Sequence, residues 1–284
     1  MDFSIIIPAH NEEALIGKTL QSLVEQTLLP KKIVVVNDAS TDDTQKIIDQ
    51  FSEKYDFIKS VFHNSQKLHE PGTKVIKAFY KGYETLDNDY DIICKFDADL
   101  IFPNNYLEKI SEILKSETSI GMAGGFCYIE KDGDWVLENL TNKDHLRGAL
   151  KAYRKECFQR INGLKNAIGW DTVDELLAQY HGWKVKTDPS LHVKHLKPTG
   201  KVYTRAAKLK QGEAFYKMRY GFWLTVIASA KLASKKQNLS FFWNTMKGFF
   251  KAKRTKMEYL VTPAEGIFIR KLRWKKIREK LGLR

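Results

Sequence analysis

The residues Lys95–Pro103 read KFDADLIFP, with two carboxylates, Asp97 and Asp99, one residue apart at the end of an apolar run. Acids at i and i+2 point the same way on an extended strand, and in a turn both still converge on one ion. Such a pair suits a hard divalent cation, Mg²⁺ or Mn²⁺, which takes oxygen ligands and often shares them with phosphate. A cation so placed stabilises charge developing on a departing diphosphate. The plainer reading is a strand ending in a solvated, aspartate-rich turn. The next residues, Leu100, Ile101 and Phe102, are apolar, where such a turn would more often stay polar.

The elements that must position these acids are visible upstream. Phe3–Ile7 (FSIII) is a short β-branched run closed by Pro8-Ala9-His10, and Lys32–Val36 (KIVVV) is closed by Asn37-Asp38-Ala39-Ser40-Thr41. Both read as buried strands. Glu12–Gln26 carries Leu15, Thr19, Leu20, Leu23 and Val24 at helical spacing, and Asp42–Tyr55 puts Ile47, Ile48 and Phe51 on one face. A third strand (Phe57–Phe62), a third helix (Gly72–Leu86) and a fourth strand (Tyr90–Phe96) follow. Strands alternating with amphipathic helices predict an α/β fold on a parallel, doubly wound sheet, whose ligands sit at the carboxyl ends of the strands. Three polar stretches, around His10, Asp38 and Asp97, then converge on one edge.

Beyond Pro103 the alternation loosens. Tyr106–Lys115 reads as a helix, Ile120–Tyr128 is small and glycine-rich, and Thr141–Gln159 mixes helical stretches with loops. Gly169–Glu175 (GWDTVDE) opens another helix, with Thr172 and Glu175 at capping-box spacing. That helix ends near Gly182, and Trp183–Val185 begins a short extended segment. Phe215–Leu232, Leu239–Phe250 and Phe268–Leu281 are aromatic, basic helical stretches.

Of 284 residues, 43% are hydrophobic, enough for one large α/β domain with an appendage. Three cysteines without CxxC spacing indicate neither a disulfide framework nor a zinc site, and fit a reducing cytosol. The N-terminus shows no basic stretch followed by a long apolar run, so no secretory signal is expected. The net charge of +13 is uneven: residues 1–193 hold 23 basic against 30 acidic side chains, and 194–284 hold 24 against 4. A tail of that sign meets an anionic partner.

The ordered trio SIIIPAHNEE, IVVVNDASTDDT and KFDADLIFP resembles the family 2 glycosyltransferases of the GT-A fold, over roughly the first two-thirds of the chain. The resemblance implies a Rossmann-like, mostly parallel central sheet flanked by helices, with a basic helical C-terminal extension. It implies a glycosyltransferase domain over 1–200, its nucleotide-sugar half about 1–103 and its acceptor half about 104–200, and the extension over 201–284. Pro8, Ala9, His10, Glu12 and Asp38 would line the nucleoside pocket, and Asp97 and Asp99 would hold the metal and diphosphate. Without its neighbours, Asp38 reads as a turn or cap acid and His10 as a loop histidine. The family's Asn-x-Gly segment after the third strand is replaced by Asn64–Lys74, where Lys74 reaches a phosphate or lies solvated on its helix. Inversion needs a general base, which the family places at a helix start. GWDTVDELLAQYHGW is the local match, with Asp174 first, Asp171 second and Glu175 as candidates, or all three simply favouring the helix dipole. Trp170 and Trp183 are candidates to pack on a sugar face, and Gly124-Gly125 and Arg147-Gly148 to shape the donor-sugar side. His195, in LHVKH, would complete the metal shell, or both histidines stand exposed on a strand.

The expected partners are a nucleotide sugar, a UDP-sugar first, and a saccharide or lipid-linked acceptor in cell-envelope synthesis. For the tail, an interfacial helix pair on an anionic membrane explains aromatics and charge together. No nucleic-acid motif is visible and none is expected as partner. The expected location is cytoplasmic, peripheral to the inner face of the membrane. Two alternatives stay open: a polyprenyl-phosphate glycosyltransferase, and a non-catalytic nucleotide-binding or membrane adaptor on the same scaffold.

Overall fold

The computed structural model describes residues 1–64, 73–138, 144–197 and 205–282, which fall into two compact units. The first comprises 1–166 and 181–199, and the second 167–180 and 200–284.

The first unit opens with β1 (Phe3–Ala9), α1 (Ile16–Val24), β2 (Lys32–Asp38), α2 (Thr44–Lys54), β3 (Ile58–His63), α3 (Thr73–Tyr83) and β4 (Ile92–Phe96). It continues with β5 (Leu100–Ile101), α4 (Tyr106–Ser116), β6 (Ile120–Lys131), β7 (Asp134–Leu137), β8 (Leu150–Arg154), α5 (Lys155–Arg160) and, after the chain leaves and returns, β9 (Lys184–His195). The sheet order is β3-β2-β1-β4-β8-β6-β9-β5, with β7 hydrogen-bonded to β6.

The half built by β3, β2, β1 and β4 is parallel, as the alternation predicts. β1, β2 and β4 are mostly apolar because both faces are covered. Ile5, Ile7, Ile33 and Val35 join one core with Ile16, Leu20 and Leu23 of α1. On the other face α3 comes so close that a Cβ on Gly82 would lie 2.7 Å from Val36 and 2.9 Å from Ile6.

The other half is mixed. β8 pairs antiparallel with both β4 and β6, β5 pairs antiparallel with β9, and β6 runs parallel to β9. Leu150–Arg154 (LKAYR), expected as helix and loop, is thus a central strand. It is too short and too charged to announce itself, and its pairing with β4 decides its state. The extended segment at Trp183 is likewise the start of a twelve-residue strand, KVKTDPSLHVKH, whose polar residues and irregular register around Asp188–Leu191 conceal its length.

The second unit contains α6 (Trp170–Tyr180), α7 (Arg205–Lys217), α8 (Gly221–Lys235), α9 (Leu239–Arg254) and α10 (Pro263–Lys280). The expected cap at Thr172 is corrected: the Thr172 amide already donates to the Gly169 carbonyl at 2.9 Å, so Thr172 lies inside the first turn. Gly169, at φ +79°, makes the entry instead. The capping box is on α10, between Thr262 and Glu265. The stretch expected from Phe215 to Leu232 breaks into α7 and α8, where Arg219 and Gly221 take positive φ. Gly212 and Gly248 let α7 and α9 touch backbone to backbone; a Cβ on either would fall within 2 Å of a carbonyl oxygen.

Candidate active site

The acids of KFDADLIFP are held by α1. The Thr19 hydroxyl donates to the Ala98 carbonyl at 2.8 Å and accepts from the Leu100 amide at 3.0 Å. Ser22 accepts from the Phe102 amide, and Gln26 both donates to the Pro103 carbonyl and accepts from the Leu107 amide. These three positions, spaced i, i+3 and i+7, form a polar stripe on an otherwise apolar face. They satisfy the backbone of a buried bend that would otherwise leave peptide groups orphaned. Asp97 is partly exposed and ion-paired with buried Lys95, and Asp99 is buried.

β5 then brings His195 to the acids. Leu100 stands opposite His195 in the β5–β9 ladder, and the Leu196 amide donates to the Asp99 carbonyl at 2.9 Å. His195 Nε2 lies 3.4 Å from Asp99 Oδ2, and Nδ1 lies 2.9 Å from Glu138 Oε2. Burial alone would lower the pKa of this imidazole; the Asp99 and Glu138 carboxylates outweigh it and raise it to about 9.

Glu138 was not among the residues singled out from the sequence. It follows β7 in a hairpin turned by Asp132-Gly133, both at positive φ as a type I′ turn requires. That register sets Glu138 beside Cys127, where its amide donates to the Cys127 carbonyl. The Asp-Gly turn was the available signal. Arg147 Nη2 lies 3.0 Å from the same Oε2 of Glu138. Donor atoms of Cys127, Glu138 and His195 all lie within 4.8 Å of one another. Burial, however, pushes the Cys127 thiol up to about 12, and a thiol is a poor ligand.

At the β1 and β2 ends, the loops are laced together. Asn11 and Ala39 both take positive φ; the Asn11 amide donates to Ser40 Oγ, and the Thr41 amide to Asn11 Oδ1. For Ala39 that conformation costs about 1 kcal/mol. Pro8 is half-buried, Ala9 buried and His10 exposed, with His10 Nδ1 donating to the Asp38 carbonyl at 2.6 Å. Asp38 is buried, and its Oδ1 has no hydrogen-bond partner among the described residues, nor has the facing His63 Nε2, 3.9 Å away. Two buried polar atoms facing each other without a hydrogen-bond partner among the described residues form the feature of this edge most in need of a ligand.

Glu12 accepts from Lys197 at 2.8 Å, while its Oε2 is buried and unpartnered among the described residues. Burial chiefly raises its pKa, against the lowering by Lys197, and Asp99 and Asp97 add to the rise. Lys74 is half-buried in the first turn of α3; most of the Asn64–Lys74 departure, 65–72, lies outside the described residues.

Asp171, Asp174 and Glu175 are on α6, in the second unit. Asp174 is fully buried, and its Oδ1 accepts from the Glu175 amide at 2.6 Å. Trp170 is buried, and Trp183 is half-buried against Gly121. Gly124 and Gly125 are in β6 rather than in a turn: Cβ atoms there would meet the Leu150 and Leu191 carbonyl oxygens at 2.9 and 2.4 Å.

Asp99 and His195 Nε2 form an O,N pair of the kind Mn²⁺ or Mg²⁺ accepts, with Asp97 two residues before Asp99. The 3.4 Å between Asp99 and His195 is close to the roughly 3 Å that separates adjacent ligands at about 2.1 Å from an ion. The chemistry and spacing of this pair fit such an ion. Residues 4–167, more than half of the chain, match the glycosyl transferase family 2 profile.

The chain belongs to glycosyl transferase family 2. This family 2 member is 43% identical over 99 residues to the probable glycosyltransferase YdaM of Bacillus subtilis, a match covering 34% of this chain and 22% of that relative. The chain spans between about a fifth and a half of the length of the first curated relatives it matches. Its fold is that of the GT-A glycosyltransferases. The mannosyltransferase PcManGT of Pyrobaculum calidifontis, solved with GDP-Man and Mn²⁺, superposes with a TM-score of 0.58 at 16% identity, covering 94% of this chain and 78% of that one. TarS 1–349 of S. aureus, solved with UDP-GlcNAc, gives 0.55 at 18% identity, covering 77% and 65%.

Proposed function

We propose that this family 2 protein transfers a sugar from a nucleotide sugar, a UDP-sugar, to a saccharide or lipid-linked acceptor of the cell envelope, inverting the anomeric carbon. One observation carries the reading: Asp99 and His195 Nε2, 3.4 Å apart, share a sheet edge with Asp38 Oδ1, which has no hydrogen-bond partner among the described residues. A carboxylate there accepts the imide N–H of uracil or a ribose hydroxyl. Pro8, Ala9 and His10 wall the nucleoside, Glu12 takes a further hydroxyl, and Lys74 reaches a phosphate. The nucleotide sugars bound by the two structural neighbours support a donor of this class.

A divalent cation, Mg²⁺ or Mn²⁺, held by Asp97, Asp99 and His195 supplies positive charge to a departing diphosphate. Lys95, ion-paired with Asp97, fixes that side chain in place. Asp174, or Asp171 or Glu175 in its place, takes the proton of the acceptor hydroxyl as it attacks. Where the acceptor is a polyprenyl phosphate, the nucleophile is already an anion and no base is needed.

The second unit supports attachment to an anionic membrane surface. Trp223, Ile227 and Lys231 follow one another at helical spacing on the exposed side of α8, as do Leu239, Trp243, Lys247, Phe250 and Arg254 on α9. Phe222 and Phe250, ring centroids 6.1 Å apart, join the two stripes. Aromatic rings between cations suit the boundary between headgroups and acyl chains. No helix among the described residues is long and apolar enough to cross a membrane.

Calorimetry with UDP, with and without Mn²⁺, tests the central claim. Metal-dependent binding in the full chain is expected; its absence would leave only the adaptor reading.

A further inference from the structure

We propose that Glu138 is a positioning residue for the cation site: anchored by Arg147, its Oε2 holds the Nδ1 proton of His195 and thereby turns Nε2 toward the place beside Asp99 where the cation would be held. The inference rests on the reading of Asp97, Asp99 and His195 as the cation's ligands, and it adds Glu138 and Arg147, which act through His195.

The argument begins with what each atom is able to do. An ionised carboxylate only accepts, so the 2.9 Å contact between His195 Nδ1 and Glu138 Oε2 requires a proton on Nδ1. Nε2 faces a second carboxylate, Asp99, at 3.4 Å. With Nε2 given to a cation, the ring would keep the proton on Nδ1, where Glu138 holds it. The ring is left as the one neutral tautomer that ligates through Nε2. A ligating imidazole whose far nitrogen donates to a carboxylate is both fixed in orientation and a better donor.

Glu138 is itself held. Arg147 Nη2 meets the same Oε2 at 3.0 Å, and the Glu138 backbone amide donates to the Cys127 carbonyl at 2.9 Å. Glu138 and His195 are buried, so water competes for neither contact. The three residues come from separate places, the β7 end, the stretch before β8 and the β9 end, and converge on one carboxylate oxygen. A surface ion pair would have no reason to be built this way. The arrangement also sets Cys127 aside: Glu138 is occupied by two donors rather than turned toward the thiol as a soft-metal ligand.

Imidazole ¹⁵N spectra of the full chain, saturated with Zn²⁺ as a diamagnetic probe, test the proposal without any substitution. The His195 signals, assigned by their loss in His195→Gln, are expected to show a protonated Nδ1 and a metal-bound Nε2. Ligation through Nδ1, alongside Cys127 and Glu138, would overturn the proposal. Glu138→Gln is expected to weaken Mn²⁺ binding about tenfold or more, with the amide spectrum of β1–β3 unchanged and Glu138→Asp recovering part of the loss. Unchanged Mn²⁺ affinity in Glu138→Gln overturns the positioning role alone, as does loss of affinity accompanied by a general change of the amide spectrum. Failure of the wild-type chain to bind Mn²⁺ or Zn²⁺ removes the ligand reading, and this proposal with it.

Discussion

The Thr19 hydroxyl spans Asp99, donating to the carbonyl on one side of it and accepting from the amide on the other. Both bonds are buried, so loss of the hydroxyl leaves a buried carbonyl and a buried amide without their partner. Thr19→Val keeps the shape and removes both. It is expected to cost about 1–3 kcal/mol of stability, read as a lower urea midpoint. Mn²⁺ affinity should fall as well, because the bend that aims Asp99 loses its brace. Stability lost with Mn²⁺ affinity intact would show that the bend holds its shape without Thr19.

Asp38 makes the opposite case. Its buried Oδ1 lacks a hydrogen-bond partner among the described residues, a cost that a ligand donating to it would offset. Asp38→Asn is expected to weaken UMP binding by about tenfold or more, the worth of a charge-assisted hydrogen bond. The unfolding midpoint of the free protein should hold or rise. Calorimetry and a thermal melt on the same sample check both, and a variant that melts earlier yet binds UMP normally contradicts the assignment.

His195 gives the metal-free protein a pH dependence of definite sign. Its folded pKa is raised from 6.5 to about 9, so its contribution is complete below about 6.5 and is lost as pH rises through 9. Thermal midpoints in chelator should fall between pH 7 and 9.5, by roughly 2–4 °C for each kcal/mol lost. His195→Gln should flatten that slope; an unaltered slope would assign the effect to other groups.

The general base separates two acceptor classes. With a sugar hydroxyl as acceptor, Asp174→Asn is expected to lower kcat by about 10²–10⁴-fold, and Asp171→Asn by less. With a lipid phosphate the same substitution should leave kcat nearly unchanged. An active Asp174→Asn enzyme on a hydroxyl acceptor moves the role to Asp171 or Glu175.

Trp223 and Trp243 are exposed to 69% and 64%, far more than folding alone would leave. Trp223→Ser with Trp243→Ser is expected to release the chain from phosphatidylserine vesicles in a sedimentation assay, with the unfolding midpoint nearly unchanged. Binding to neutral vesicles of equal strength would argue against the part given to the lysines.

The first half of the site was readable from the sequence because its determinants are local. Phe3–Ile7, Lys32–Val36 and Tyr90–Phe96 are short, mostly apolar runs, each closed by a polar stretch, and parallel strands place such closures on one edge whatever the loops do. Asp38, Asp97 and Asp99 follow from that rule. Thr19, Ser22 and Gln26 were legible only as helix positions; that their polar atoms meet a bend some eighty residues away has no periodic signal.

The amino-acid sequence by itself determined the alternating fold, the edge that carries the acids and the charge of the C-terminal helices, since periodicity and composition encode these directly. Tertiary structure decided the rest. Pairing of the two-residue β5 with the end of β9 put His195 against Asp99, and an Asp-Gly hairpin put Glu138 behind His195. It also placed α6, with Asp171, Asp174 and Glu175, in the unit of the C-terminal helices rather than with the sheet that precedes it. Each of these depends on which distant strand or helix supplies the missing partner. That choice is made by the summed burial and hydrogen bonding of the whole chain, which no local window contains.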